Sequence, residues 1–331
     1  MEKRIENIIN QFSHLRIGIV GDVMIDKYIW GKVTRISPEA PVPVVSQTSS
    51  ECRLGGAANV ARNILSLKAQ PILFSIIGDD YYGDIFCDLL SKEGIKDEGI
   101  IKSKERITTV KTRIIAGSQQ LLRVDNEIEY PLSNELEQKL LNLIKPYLQS
   151  KSINALIFED YDKGVITTKL IQELVKLCNE NNIPILVDPK KRNFHFYKNV
   201  TLFKPNFKEV TEALNLNIEK TDIIGLKKVA EKLHEDYNIK IVMITLSENG
   251  IFISNNGNFY HVPAVKRDIA DVSGAGDTVV SIAALSLAIN LTIKQIAYIC
   301  NTAGGIVCEK VGVVPIDVES LLSECLFIPE D

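Results

Sequence analysis

Apolar residues along the chain fall into short runs rich in Ile, Val, Leu and Phe, alternating with longer stretches of helical period. The runs at 16–21, 71–77, 154–158, 183–187, 201–204 and 240–246 read as strands, because few polar residues interrupt them. Between them the period lengthens, and helices are predicted over 57–67, 83–93, 133–148, 167–180, 207–214 and 223–237, with two more opening near Ser273 and Thr292. Strands that are apolar on both faces, spaced by helices, predict an α/β fold with a doubly wound, mostly parallel sheet.

Two stretches break the rhythm. Residues 28–46 and 107–125 are rich in Val, Ile and Thr, alternate only in part and have no helical period, so they are expected to form a small extra β-sheet. Pro38, Pro41 and Pro43 place the first stretch at an edge or in a turn.

Composition narrows the class of molecule. The 331 residues carry 38 Lys+Arg against 42 Asp+Glu, a formal charge of −4, with 45% hydrophobic residues. A chain of this size buries on the order of 75% of its unfolded surface without help from disulfides or metals. It is expected to form one domain over 1–331. Near-balanced charge offers no basic face for nucleic acid. The six cysteines, at 52, 87, 178, 300, 308 and 325, form no CxxC pair and no zinc-like spacing, and read as reduced, mostly buried thiols. The amino terminus is amphipathic and charged with no continuous apolar segment, and the apolar run 278–289 has only 12 residues. These features predict a cytoplasmic protein that does not contact membrane.

The chemistry begins at Asp271-Val272-Ser273-Gly274-Ala275-Gly276-Asp277-Thr278, where two glycines flank an alanine just before an apolar helix. Small residues admit a ligand close to the backbone, and the first turn of a helix leaves N–H groups without intrahelical partners. Those donors and the positive end of the helix dipole make an anion site. Asp277 reads either as a first-turn acid that stabilises the helix or as a base that takes a proton from an alcohol. In the second reading the N–H groups of residues 274–277 hold a transferring phosphoryl group. No GxxxxGK[ST] or GxGxxG occurs in the chain, so a P-loop or dinucleotide fold has no local support.

The segment from Val272 to Thr278 resembles the carboxyl-terminal signature of the ribokinase-like (PfkB) carbohydrate kinases. Gly55-Gly56-Ala57-Ala58-Asn59-Val60-Ala61 resembles their amino-terminal one. Within that family the chain is similar to the heptose 7-phosphate kinases. That resemblance rests on the runs at 21–26, 35–45 and 122–125, on Asp160-Tyr161-x-Lys163-Gly164, on Asp188-Pro189-Lys190, and on Thr245-Leu246-Ser247-Glu248-x-Gly250. It covers residues 11–318, and departs from the usual pattern at Glu159, where similar kinases often have a small residue.

The resemblance implies a ribokinase-like fold in which 28–46 and 107–125 form a lid over the sugar, a lid that in similar kinases often pairs two subunits. A homodimer is therefore expected. It implies that Asp26, Gly55, Gly56 and Asn59 bind sugar hydroxyls, and that Arg113, Arg123 and Lys163 are the candidates to grip a C7 phosphate. On the nucleotide side it implies Lys190, Asn206, Thr245, Glu248, Gly250 and Asn301, the last on the final helix. Glu209, in an NxxE motif, would meet Mg2+ through water, and backbone carbonyls of Asp271 and Ser273 and of the 310–313 loop would hold a monovalent cation such as K+.

The expected reaction is transfer of the γ-phosphoryl of MgATP to the C1 hydroxyl of D-glycero-D-manno-heptose 7-phosphate, supplying ADP-heptose for lipopolysaccharide. The partners expected are thus a sugar phosphate and ATP. No HxGH-type motif accompanies the kinase signatures, so a stand-alone kinase is expected. Two other readings stay open: a ribokinase-like kinase of another sugar, sugar phosphate or nucleoside, and a non-catalytic sugar-phosphate or nucleotide sensor.

Overall fold

The computed structural model describes residues 2–325 except 118 and 256. In chain order the elements begin with α1 (Glu2–Phe12), β1 (Arg16–Gly21), β2 (Val23–Ile36), β3 (Pro43–Gly56), α2 (Ala57–Ser66), β4 (Gln70–Gly78) and α3 (Tyr81–Lys92). Then come β5 (Ile100–Ser103), β6 (Val110–Ala116), β7 (Gln119–Asn126), α4 (Asn134–Gln149), β8 (Ala155–Glu159), α5 (Thr168–Asn181), β9 (Ile185–Asp188) and β10 (Leu202–Phe203). The chain continues through α6 (Phe207–Leu214), α7 (Ile223–Tyr237), β11 (Ile241–Thr245), β12 (Ile251–Asn255), β13 (Asn258–Val262), α8 (Ala275–Ala288), α9 (Ile293–Cys308) and α10 (Val318–Glu324).

Nine strands form the main sheet in the order β13-β12-β11-β10-β9-β8-β1-β4-β5. Every pairing from β11 to β5 is parallel, and the β11–β12 and β12–β13 pairings are antiparallel, so β12 alone runs against the rest. Successive strand residues feed opposite faces. Ile17, Ile157, Leu186 and Met243 pack with α2, α8 and α9 on one side, while Val20, Phe158, Val187 and Val242 pack with α4, α5 and α7 on the other. Burial on both faces explains the near-continuous apolar runs. The expected doubly wound, ribokinase-like sheet is therefore present.

The small sheet has the order β3-β2-β6-β7. It is larger than the stretch at 28–46 suggested, because β2 starts at Val23, straight after β1, and β3 runs on to Gly56, where α2 begins. Pro38 and Pro41 lie in the turn between β2 and β3, and Pro43 opens edge strand β3. Five elements among the described residues were not expected: α1, β5, the two strands of the β12–β13 hairpin, and α10. The last of these corrects the placement of Asn301, which lies on α9 and so not on the final helix. All six thiols are free, three buried and three half-buried. Among the described residues no helix is long and apolar enough to cross a membrane.

Helix α8 is apolar all round and therefore central. Val279, Val280, Ile282 and Leu285 are all buried, and burying each such side chain contributes about 1.5–3 kcal/mol, so the first turn of α8 projects from a rigid base.

Candidate active site

Strands β1, β8, β9 and β10 end on the same edge of the main sheet, the edge where parallel α/β sheets bind ligands. The start of α8 faces this edge: a Cβ added at Gly276 would lie 3.5 Å from Asp188 Oδ2 and 3.6 Å from Lys204 Nζ. Gly274, the residue preceding α8, has φ +81° and no side-chain cap bond. The first intrahelical bond of α8 runs from Thr278 N–H to the Gly274 carbonyl, so the N–H groups of Gly276 and Asp277 point out of the helix end.

Asp277 is 4% exposed. Its Oδ2 accepts from Asn59 Nδ2 at 2.7 Å, and its Oδ1 accepts from the Tyr161 hydroxyl at 2.8 Å. Asn59 is carried by α2, which packs on α8 through Thr278 Oγ1 to Asn63 Oδ1 at 3.0 Å and Ser281 Oγ to the Val60 carbonyl at 3.3 Å. Burial pushes the Asp277 carboxyl up from the ordinary carboxylate range, and Asn59 and Tyr161 pull it back. Nearby Asp188 adds to the rise while Lys204 opposes it. This is a carboxylate kept within reach of a proton, as a general base requires.

Around it stands a buried cluster of charge. Asp188 and Lys204 form an ion pair at 2.8 Å with side chains 7% and 3% exposed. Glu159 lies beside Asp188 in register, and burial, then Asp188 and Asp277, push its carboxyl well up. Its Oε2 has no hydrogen-bond partner among the described residues. Lys190 pairs with Glu209, and its ammonium lies 5.4 Å from the centre of the Tyr161 ring.

Register places Asp26, Tyr28, Arg53, Lys111, Arg113 and Arg123 on one face of the small sheet. Asp26 is buried and bonded to Arg113. Gly55 makes room for it, since a Cβ there would come within 2.3 Å of Asp26 Oδ2. Gly56 has φ +60°, and a Cβ there would meet the Asp22 carbonyl at 2.4 Å. Arg123 lies opposite Arg113, is 52% exposed and bonds Asp125 at 3.0 Å. The Lys163 ammonium is held by Glu127 and Glu129 at 2.8 Å each, and Glu127 links it to Lys111 of this face at 3.1 Å.

The residues expected at the nucleotide are more dispersed. Asn206 and Glu209 form a capping box on α6, with both bonds at 2.8 Å, and Asn206 is bridged to Thr245. Glu248 is 70% exposed and pairs with Lys220 at 3.0 Å. Gly250 has φ +87°, and a Cβ there would meet the Val262 carbonyl at 2.0 Å, so its smallness lets β13 approach. Asn301 donates to the Pro263 carbonyl at 3.0 Å. Asp271 accepts from the N–H of Ser273 at 2.9 Å and of Gly312 at 3.0 Å, tying together the two loops expected to hold a monovalent cation.

The donor set fits a hydrated magnesium ion. One Glu209 oxygen accepts from Lys190 and the other from the Asn206 N–H, and each keeps a lone pair for water around an ion. Mg2+ commonly keeps several waters and leans on substrate phosphates.

Several site residues were not singled out from the sequence. Asp22, Tyr161, Asp188, Tyr28 and Lys204 lay in or beside quoted runs without a role, and Arg53 went unmarked. Arg53 pairs with Glu51 and stacks over the Tyr28 ring at 4.9 Å. A lone acid or lysine just after a strand carries no local signal that separates it from a turn residue.

Residues 15–319 match the family described as pfkB family carbohydrate kinase. The Bifunctional protein HldE of Helicobacter pylori (strain ATCC 700392 / 26695) is 40% identical over 297 residues, covering 90% of this chain and 64% of that protein. The Bifunctional protein HldE of Trichlorobacter lovleyi is 37% identical over 325 residues, covering 97% and 65%. The chain thus spans a little under two-thirds of the length of these relatives. Among solved structures, Escherichia coli phosphofructokinase-2 in complex with potassium superposes with a TM-score of 0.76 at 19% identity, covering 94% of this chain and 98% of that one. Arabidopsis thaliana ribokinase with ribose and ATP gives a TM-score of 0.72 at 14% identity, covering 95% and 99%. At these identities the structural likeness shows the fold.

Proposed function

The chain belongs to the pfkB family of carbohydrate kinases, which are phosphotransferases, and on that premise we propose that it moves the γ-phosphoryl group of ATP to the C1 hydroxyl of D-glycero-D-manno-heptose 7-phosphate. The products are heptose 1,7-bisphosphate and ADP, on the route to ADP-heptose for lipopolysaccharide. The observation that carries the phosphotransfer is Asp277, buried between two donors at the uncapped start of α8. The heptose assignment is supported by the branch-specific runs together with 40% identity to an HldE protein.

In this reading Asp26 accepts hydrogen bonds from sugar hydroxyls and fixes the ring. Asp277 takes the C1 hydroxyl proton as that oxygen bonds to phosphorus and the bond to the ADP oxygen breaks. The N–H groups of Gly276 and Asp277 hold the oxygens of the group in flight, which asks for alignment and charge stabilisation more than for covalent help. Lys190 and Lys204 add positive charge on the nucleotide side. Glu209 would hold the hydration shell of Mg2+ arriving with ATP, an ion that would supply positive charge to the phosphates. The small sheet closes over the sugar and excludes water, which would otherwise compete as acceptor. K+ is a candidate at the Asp271 loop, as a fold neighbour binds potassium. Val33, Ile36, Leu122 and Val124, exposed on the small sheet, support a homodimer formed there.

The test is ATP-dependent turnover of synthetic heptose 7-phosphate followed by 31P NMR. A new anomeric phosphate is expected. Turnover of fructose 6-phosphate, ribose or adenosine instead would keep phosphotransfer and overturn the heptose assignment. Silence on every acceptor would favour a sensor.

A further inference from the structure

The reaction needs Asp277 both charged and aimed, and burial works against the first. Tyr161, so far without a part in the chemistry, is one of only two side chains that donate to this carboxylate among the described residues. Its phenol stays protonated, because burial and then Asp277 and Glu159 push it well above its ordinary value. With one donor on each oxygen, each oxygen keeps a lone pair for another partner.

Asp22 determines where both donors stand. Its side chain accepts from the main-chain N–H groups of Tyr161 at 2.9 Å, Lys163 at 3.1 Å and Val165 at 3.0 Å. Its main-chain carbonyl accepts from Ala57 N–H at 3.0 Å, at the first residue of α2, the helix that carries Asn59. One residue therefore registers the tyrosine loop against the asparagine helix. The other charged groups facing Asp277 are already engaged or neutral: Lys204 after β10 pairs with Asp188 of β9, Lys190 pairs with Glu209, and Glu159 of β8 is held toward its neutral form.

We propose that Tyr161 is the positioning residue of the base, fixing the plane of the Asp277 carboxylate jointly with Asn59 so that a free lone pair faces the acceptor hydroxyl of the sugar. This rests on the reading of Asp277 as the base. Asp22 is the frame that holds both donors to that task.

The experiment uses protein labelled with carboxyl-13C aspartate, in which the resonance lost in Asp277→Asn identifies Asp277, titrated without substrate. Tyr161→Phe removes one hydroxyl, and a hydrogen bond to a charged group is worth enough to move the Asp277 midpoint up by about one to two pH units. Turnover number should fall about tenfold or more while KM for both substrates stays within about threefold, the signature of an interaction used in the transition state. Replacement of Tyr161 by 3-fluorotyrosine, whose phenol is a stronger donor, should move the midpoint down. Shifts in opposite directions cannot come from a damaged fold. An Asp277 midpoint that moves in neither variant overturns the proposal, whatever happens to kcat. Because the titration needs no sugar, it decides the role of Tyr161 even if heptose 7-phosphate is not the acceptor. Wild-type kcat in Asp277→Asn would sink the base and this proposal with it.

Discussion

Lys204→Met should unfold the active-site edge of the sheet more than any surface change. The ammonium pairs with Asp188 at 2.8 Å, with side chains 3% and 7% exposed, so neither partner has water to fall back on. Removing it leaves Asp188 buried beside Glu159 and near Asp277, with Lys190 as the remaining cation and that one tied to Glu209. Breaking such a buried pair costs about 3–5 kcal/mol. Against a total stability of about 5–15 kcal/mol this is a large fraction. For a protein of 331 residues, at about 2.1 cal/mol/K of unfolding entropy per residue, it lowers Tm by roughly 4–7 °C, about 1.4 °C per kcal/mol. Urea denaturation at pH 7.5 reads the loss directly. The control is Lys204→Met combined with Asp188→Asn, which removes the stranded charge and should recover much of the stability. A single variant that loses less than about 1 kcal/mol, or a double variant no more stable than the single, would refute the reasoning.

Asp277→Asn keeps the shape of the base and loses its proton affinity, so kcat should fall by about 10² to 10⁴ with ATP affinity unchanged by calorimetry. Arg123→Ala removes the most exposed guanidinium on the sugar face and should raise KM for the sugar phosphate about tenfold with little change in kcat, the loss of one charge-assisted bond. Lys163→Ala should do much less, because its ammonium is held by Glu127 and Glu129. Asp160 is pushed up to about 7, by burial first and then by Asp22. The folded protein therefore holds a proton that the unfolded chain releases near pH 4, so stability from this group is full below that value and is lost as pH rises through about 7. Asp160→Asn should shrink the fall in stability between pH 5 and pH 8.5, as read by urea denaturation, by at most about 3 kcal/mol, because only the part of the rise above pH 5 falls in that window. An unchanged slope would count against the assignment.

Legibility varied with how local the signal was. Helices α6 and α7 have the predicted bounds because their ends are written in single residues: Asn206 and Asp222 cap the starts, and left-handed Asn215 and Asn238 close them. The hairpin of β12 and β13 went unread although an Asn-Gly pair lies between its strands. The small sheet was seen but its extent was not. Much of β3 is exposed and polar, so alternation could not mark where the strand ends. Asp277, Asn59 and Asp26 were found because short motifs carry them. Asp22, Asp188 and Lys204 follow or close β1, β9 and β10, strands far apart in sequence, and only the parallel sheet brings them to one edge.

That edge also explains where helix capping is missing. Side chains of Asp80, Ser133, Thr167, Asn206, Asp222, Thr292 and Asp317 cap α3, α4, α5, α6, α7, α9 and α10. Helices α2 and α8 instead follow glycines with positive φ and have no side-chain cap bond, and these are the two helices that carry Asn59 and Asp277. A side-chain cap is typically worth about 1 kcal/mol, and in the proposed reaction its oxygen would sit where a phosphoryl oxygen goes. Leaving the N–H groups of α8 open therefore costs the free protein stability and reserves the donors for an anion. In the proposed reaction the transferring group takes the place of the cap, so the first turn of α8 is best satisfied when the phosphoryl group lies between nucleotide and sugar.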